Sequence, residues 1–205
     1  MSRHLFFVAV LLVAGGILFC VNAGPSRVTA DADGWGFSYL ARGRGSVGRT
    51  PAVPRAWRVP KTKRWTCIVI HHSATDYGGA HRFDTGHKEK GWDGLGYHFV
   101  IGNGSDTKDG LVEVGPRWSE QRTGAHCRSP QDYYNEHGIG ICLVGNFDQD
   151  RPSDAQQANL KKLVRYLCRE YDIPASRVFT HGGVTGQTKC PGKHFDLKAL
   201  RKSVK

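Results

Sequence analysis

Residues 67–75 read CIVIHHSAT: an apolar run that passes directly into two histidines. Side chains of a strand alternate between faces, so Cys67, Val69 and His71 point one way and Ile68, Ile70 and His72 the other. A run apolar on both faces needs cover on both, which points to an interior strand of a sheet packed between other elements. Four more short stretches carry the strand signature of β-branched and aromatic residues bounded by Gly or polar clusters. They are GYHFVIG (96–102), LVEVG (111–115), GIGICLVGNF (138–147) and RVFTH (177–181).

Helical signals fall between them. Ser153 with Gln156 three residues later forms a capping box, and Leu160, Leu163, Val164, Leu167, Cys168 and Tyr171 recur at helical spacing. A less regular helix is expected over Ala80 to Lys90, and a short one after Asp196, whose carboxylate suits an N-cap. Strands interleaved with helices predict an α/β fold, a mixed central β-sheet flanked by helices, in a single domain over residues 64–205.

The 205 residues, 39% of them hydrophobic, suffice for one core but not for a second full domain. The net charge of +11 is concentrated upstream of the first strand. Residues 24–63 are rich in Gly, Arg and Pro without helical or alternating period, and read as a linker, either simply solvated or attracted to anionic lipid or cell-wall polymer; a basic arm also suits nucleic acid, but an exported chain meets the other two first, and no specific nucleic-acid partner is expected. Before it, Leu5 to Ala23 carries no charged side chain, follows Arg3 and ends in a small-residue pattern. Residues 1–23 are therefore expected to be a signal peptide, or else an N-terminal anchor, and the protein to be exported. Export permits disulfides among Cys67, Cys127, Cys142, Cys168 and Cys190, and an odd count leaves one thiol for another task.

His71 and His72, on opposite faces, cannot easily share one ion. His181 closes another apolar stretch, and Cys190 follows after a loop of small polar residues. Two imidazoles and one thiolate suit catalytic zinc, whose fourth position stays open to water, although a lone strand-end histidine is as readily a hydrogen-bonded structural residue.

These stretches, with GWDGLGYHFVIG and GIGICLVGNF between them, resemble in order and content the zinc-dependent N-acetylmuramoyl-L-alanine amidases of the phage T7 lysozyme and peptidoglycan recognition protein type, from about Trp65 to Leu197. The resemblance implies Zn2+ held by His71, His181 and Cys190, catalytic roles for Tyr97 and Thr188, and His72 as a supporting residue. It implies peptidoglycan or a muropeptide as substrate, cut at the amide between the lactyl group of N-acetylmuramic acid and L-alanine. Tyr97 would position water or donate a hydrogen bond, and Thr188 would donate to the oxyanion. Two departures stand out: the His181 to Cys190 interval is about one residue longer than the family pattern, and Gly182 and Gly183 replace larger polar residues. A tyrosine that packs with Phe99 and Ile101 on one strand face is the plainer reading of Tyr97. Trp92, Arg117, Trp118, Arg122 and His126 fall in expected loops and suit sugar and carboxylate binding. The alternative function is a peptidoglycan-recognition module of the same fold that does not cut.

Overall fold

The computed structural model describes residues 52–128 and 132–204. The expected signal peptide or anchor, and residues 24–51 of the linker, lie outside the described residues.

Five strands form one mixed sheet in the order β3-β2-β4-β1-β5. They are β1 (Cys67–His72), β2 (Phe99–Ile101), β3 (Val112–Val114), β4 (Gly138–Leu143) and β5 (Val178–Thr180). β1 lies between β4 and β5 and is parallel to both; β2 is parallel to β4, and β3 is the antiparallel edge strand. All six residues of β1 and of β4 are buried, as runs apolar on both faces require. The helices are α1 (Ala80–Glu89), α2 (Pro116–Ser119), α3 (Tyr133–His137), α4 (Asp154–Glu170), α5 (His181–Thr185) and α6 (Leu197–Ser203). Among the described residues, no helix is long and apolar enough to cross a membrane.

The two faces of the sheet differ in purpose. On one, Ile68, Ile70, Phe99, Ile101, Ile139, Ile141 and Leu143 pack with Leu160, Leu163, Val164 and Leu167 of α4 and Leu200 of α6. Each fully buried aliphatic side chain there contributes about 1.5–3 kcal/mol relative to exposure. The capping box forms as expected: Ser153 Oγ accepts from Gln156 N at 3.0 Å, and Gln156 Oε1 accepts from Ser153 N at 3.1 Å. Gln156 also donates to the carbonyls of Ile101 (3.2 Å) and Val144 (2.8 Å), which ties the start of α4 to the ends of β2 and β4. Asp196 caps α6 by accepting from Ala199 N at 2.8 Å. The other face carries a smaller apolar cluster of Leu95, Val100, Cys142 and Val144 with Ala80 and Phe83 of α1 and Tyr97. His71 lies on this second face, level with Cys142.

Two expectations need correction. The folded region begins upstream of residue 64: Trp57 is buried in the main core, its carbonyl accepts from Trp118 Nε1 at 3.0 Å and Tyr166 Oη at 3.1 Å, and Val53 and Val59 pack alongside. Residues 52–63 are therefore part of the domain and not linker; the apolar anchors are spaced too irregularly to show a period. The stretch RVFTH also stops being a strand at Thr180, because Thr180 Oγ1 accepts from Gly183 N at 3.1 Å and opens α5, with His181 as its first residue.

Candidate active site

His71 leaves β1 on the thinly covered face, His181 opens α5 directly after the neighbouring strand β5, and the loop after α5 returns Cys190 to both. One ligand atom from each of His71, His181 and Cys190 lies within 4.8 Å of the others. His71 Nδ1 is 4.0 Å from Cys190 Sγ, and the His71 and His181 rings have centroids 4.6 Å apart. Two nitrogens and a sulfur at this spacing match the donor set and reach of a tetrahedral zinc site with one position left for solvent or substrate.

The return of the loop depends on a glycine. A Cβ on Gly182 would lie 2.3 Å from the Thr188 carbonyl oxygen, and Gly182 N donates to Cys190 O at 2.8 Å. Gly182 thus sits where the backbone of the returning loop presses against α5. Thr188 is exposed, and its Oγ1 accepts from Cys190 N at 3.1 Å.

Electrostatics favour neutral imidazoles. Burial lowers His71 well below the usual histidine range, with His126 and His181 adding to it, and burial followed by His72 lowers His181. Burial pushes the Cys190 thiol up to about 11, opposed by the His72 backbone N–H, which donates to its sulfur at 3.3 Å. A bound divalent cation reverses that balance, because metal ligation requires the thiolate. His72 itself is structural: its Nδ1 accepts from Phe147 N at 3.1 Å on the opposite face.

Tyr97 does not share a face with Phe99 and Ile101. β2 starts only at Phe99, the alternation breaks before it, and the Tyr97 ring packs on the His71 side, 5.2 Å from the His71 ring. Burial, reinforced by the neighbouring Cys142 and Cys190, raises its phenol well above the usual range, so it holds its proton at neutral pH.

The loop candidates divide. Arg117 and Trp118 belong to α2 and are buried: Arg117 donates to the carbonyls of Leu95 (2.7 Å) and Thr123 (2.6 Å) and pairs with Asp93, and Trp118 fills the core. Neither meets solvent, so neither is a surface contact for sugars. Arg122 is engaged with Asp93 and Glu120. Trp92, 45% exposed, and His126 line a cleft of about 490 Å³ together with His181 and Thr188. A larger cavity of about 740 Å³ lies where β1 and β5 begin, lined by Lys61, Lys63, Trp65 and Arg177. It holds none of the clustered histidines or cysteines, so the smaller cleft is the one that reaches the chemistry. All of Cys67, Cys127, Cys142, Cys168 and Cys190 are free, buried thiols, which resolves the open disulfide question for the described residues.

The contact the sequence did not foretell is His71 with His126, residues 55 apart, at 3.1 Å. Its trace in the sequence is the alternation of Gly138 and Gly140 in β4, which leaves a slot on the His71 face.

Comparison with known proteins bears on the family of the chain. The family model described as N-acetylmuramoyl-L-alanine amidase matches residues 61–193, a span that includes His71, Tyr97, His126, His181, Thr188 and Cys190. The endolysin of Escherichia phage T7 is 35% identical over 139 residues, 64% of this chain and 82% of its own. Peptidoglycan-recognition protein SC2 of Drosophila melanogaster is 26% identical over 196 residues, 91% of each chain. The solved endolysin amidase LysCS from Clostridium intestinale superposes with a TM-score of 0.59 at 31% identity, covering 77% of this chain and 92% of its own. With the mixed sheet and the family match in agreement, the chain belongs to the N-acetylmuramoyl-L-alanine amidase family.

Proposed function

We propose that the protein is a zinc-dependent N-acetylmuramoyl-L-alanine amidase that acts on peptidoglycan or muropeptides, releasing stem peptide from the lactyl group of N-acetylmuramic acid. The observation that carries this reading is the convergence of His71, His181 and Cys190 within 4.8 Å beside the cleft. Bound there, zinc supplies Lewis acidity: it can lower the pKa of a water from about 15.7 to roughly 7 and polarise the scissile carbonyl.

The chain's own groups do the rest. His71 and His181 bind as neutral rings, the form burial already favours. Cys190 binds as thiolate, its charge offset by the His72 N–H. Tyr97 is proposed to donate its phenolic hydrogen toward the reacting carbonyl or water, since its raised pKa keeps it protonated. Thr188 Oγ1 already accepts from Cys190 N, so its own O–H is free to turn toward the cleft and stabilise the developing oxyanion. Trp92 offers an exposed aromatic face to the substrate.

The second reading, recognition without cleavage, is disfavoured by the retained thiol: a binding groove has no need of Cys190. For the segment outside the described residues, we propose a signal peptide or anchor at 1–23 and an exported protein, the location where peptidoglycan is met. Incubation of the zinc-loaded protein with purified peptidoglycan tests the reaction. New free L-alanine amino termini without new reducing sugar ends support the amidase; binding without new termini moves the reading to recognition alone.

A further inference from the structure

The contact between His71 and His126 determines which nitrogen of His71 faces the metal donors. His126 Nε2 lies 3.2 Å from the Gly138 carbonyl oxygen. A carbonyl only accepts, so Nε2 carries the proton and Nδ1 of the neutral ring is an acceptor. His126 Nδ1 is 3.1 Å from His71 Nε2, so His71 Nε2 is the donor. A neutral imidazole has one proton, which leaves the lone pair of His71 on Nδ1, the atom 4.0 Å from Cys190 Sγ.

The fold holds His126 to this task. Asn135 Oδ1 accepts from the backbone N–H groups of both His126 and Cys127 at 2.9 Å, and Asn135 Nδ2 donates to Cys127 O at 2.6 Å. Two glycines make room for the ring: a Cβ would lie 2.3 Å from His126 Cδ2 at Gly140 and 2.4 Å at Gly124. Gly140 is interior to β4, where a glycine weakens a strand, so the strand gives up local stability for the space the ring occupies.

We propose that His126 is a positioning residue: by accepting from His71 Nε2 it fixes the His71 tautomer and aims the Nδ1 lone pair at the cation shared with His181 and Cys190. The inference rests on the zinc reading above. A second donor set, His71, His126 and Cys127, also lies within 4.8 Å, with Cys127 Sγ 4.0 Å from His71 Nε2. It requires the lone pair on Nε2 instead, and one neutral ring cannot serve both sets.

The test combines nitrogen-15 NMR of the histidines in metal-free protein with zinc affinity by chelator competition and melting temperature. The proteins compared are wild type, His126→Leu, His126→Asn and Cys127→Ser. The expected results are the Nε2–H tautomer of His71 in wild type and zinc binding weakened about 10–100-fold in His126→Leu. Affinity returns in His126→Asn, whose Oδ1 replaces the acceptor, and is unchanged in Cys127→Ser. A purely structural His126 lowers melting temperature in both His126 variants without this rescue, and that pattern overturns the proposal. So does an Nδ1–H tautomer in wild type, zinc affinity within twofold of wild type in His126→Leu, or loss of zinc in Cys127→Ser, which moves the cation to the other set. Should His126→Leu fail to fold, the wild-type tautomer and the His126→Asn affinity decide. Absence of zinc binding by wild type overturns the metal reading itself, recognisable because the tautomer is then unaffected.

Discussion

Gly140→Ala is a one-methyl perturbation whose cost follows from the geometry of β4. The added Cβ would sit 2.3 Å from His126 Cδ2, 2.6 Å from Cγ and 2.8 Å from Nε2, against ordinary contact from 3.4 Å. The ring must move by about 1 Å, which breaks hydrogen bonds now at 3.1 Å to His71 and 3.2 Å to Gly138. Each buried polar group left without a partner costs about 1–3 kcal/mol. Replacing glycine in a strand recovers about 0.5–1 kcal/mol. With one such group for each of the two bonds, the expected net loss is about 1–5 kcal/mol, or about 2–20 °C in melting temperature for a domain of this size. Urea denaturation of the metal-free protein measures it, alone and with His126→Ala. With the ring removed the clash disappears, so Gly140→Ala should become neutral or stabilising, with a coupling energy above about 1 kcal/mol. A loss below about 0.5 kcal/mol in the wild-type background, or the same loss in both backgrounds, refutes the reasoning.

Three further outcomes are expected. On the proposed zinc reading, metal binding displaces the proton of the Cys190 thiol, which burial holds at about 11, so affinity should rise about tenfold per pH unit between pH 6.5 and 8; chelator competition across that range checks it, and a flat profile contradicts thiolate ligation. His98 is buried, accepts from Gly140 N at 3.0 Å and contacts Arg122 O at 3.1 Å, and burial holds it well below the usual range. Below about pH 6.5 the unfolded chain takes up a proton that the folded one refuses, so stability should fall as pH drops, by at most about 1.4 kcal/mol per unit for this group, and melting curves of wild type and His98→Asn should show the shallower slope in the variant. Gly182→Ala places a methyl 2.3 Å from Thr188 O; it should weaken zinc binding by displacing the 188–190 loop while leaving β1 and α4 intact, as hydrogen exchange of those elements will report.

The sheet and α4 were legible because their apolar periods are strong and local: CIVIHH and GIGICL read as doubly buried strands, and Ser153 with Gln156 announced the helix start. His71, His181 and Cys190 were legible from motif resemblance; spacing alone left them among several arrangements. What escaped was non-local. Trp57 lies in a Gly/Arg/Pro-rich stretch, and the partners that hold it in the core, Trp118 and Tyr166, are far along the chain. Arg117 and Trp118 looked like loop residues because α2 is a single turn, too short to show a period. Tyr97 changed sides because β2 begins two residues after it, and alternation cannot be carried through an irregular entry. The link from His126 to His71 joins residues 55 apart, and no local rule reads it.

The proposed function requires His71, His181 and Cys190 to form one metal site that drives amide hydrolysis. Zinc content and peptide release, measured together on wild type and Cys190→Ala, decide it. One zinc per wild-type chain with release of stem peptide, both lost in a folded Cys190→Ala protein, is the predicted result. Undiminished peptide release by a Cys190→Ala protein, with or without bound zinc, would contradict it.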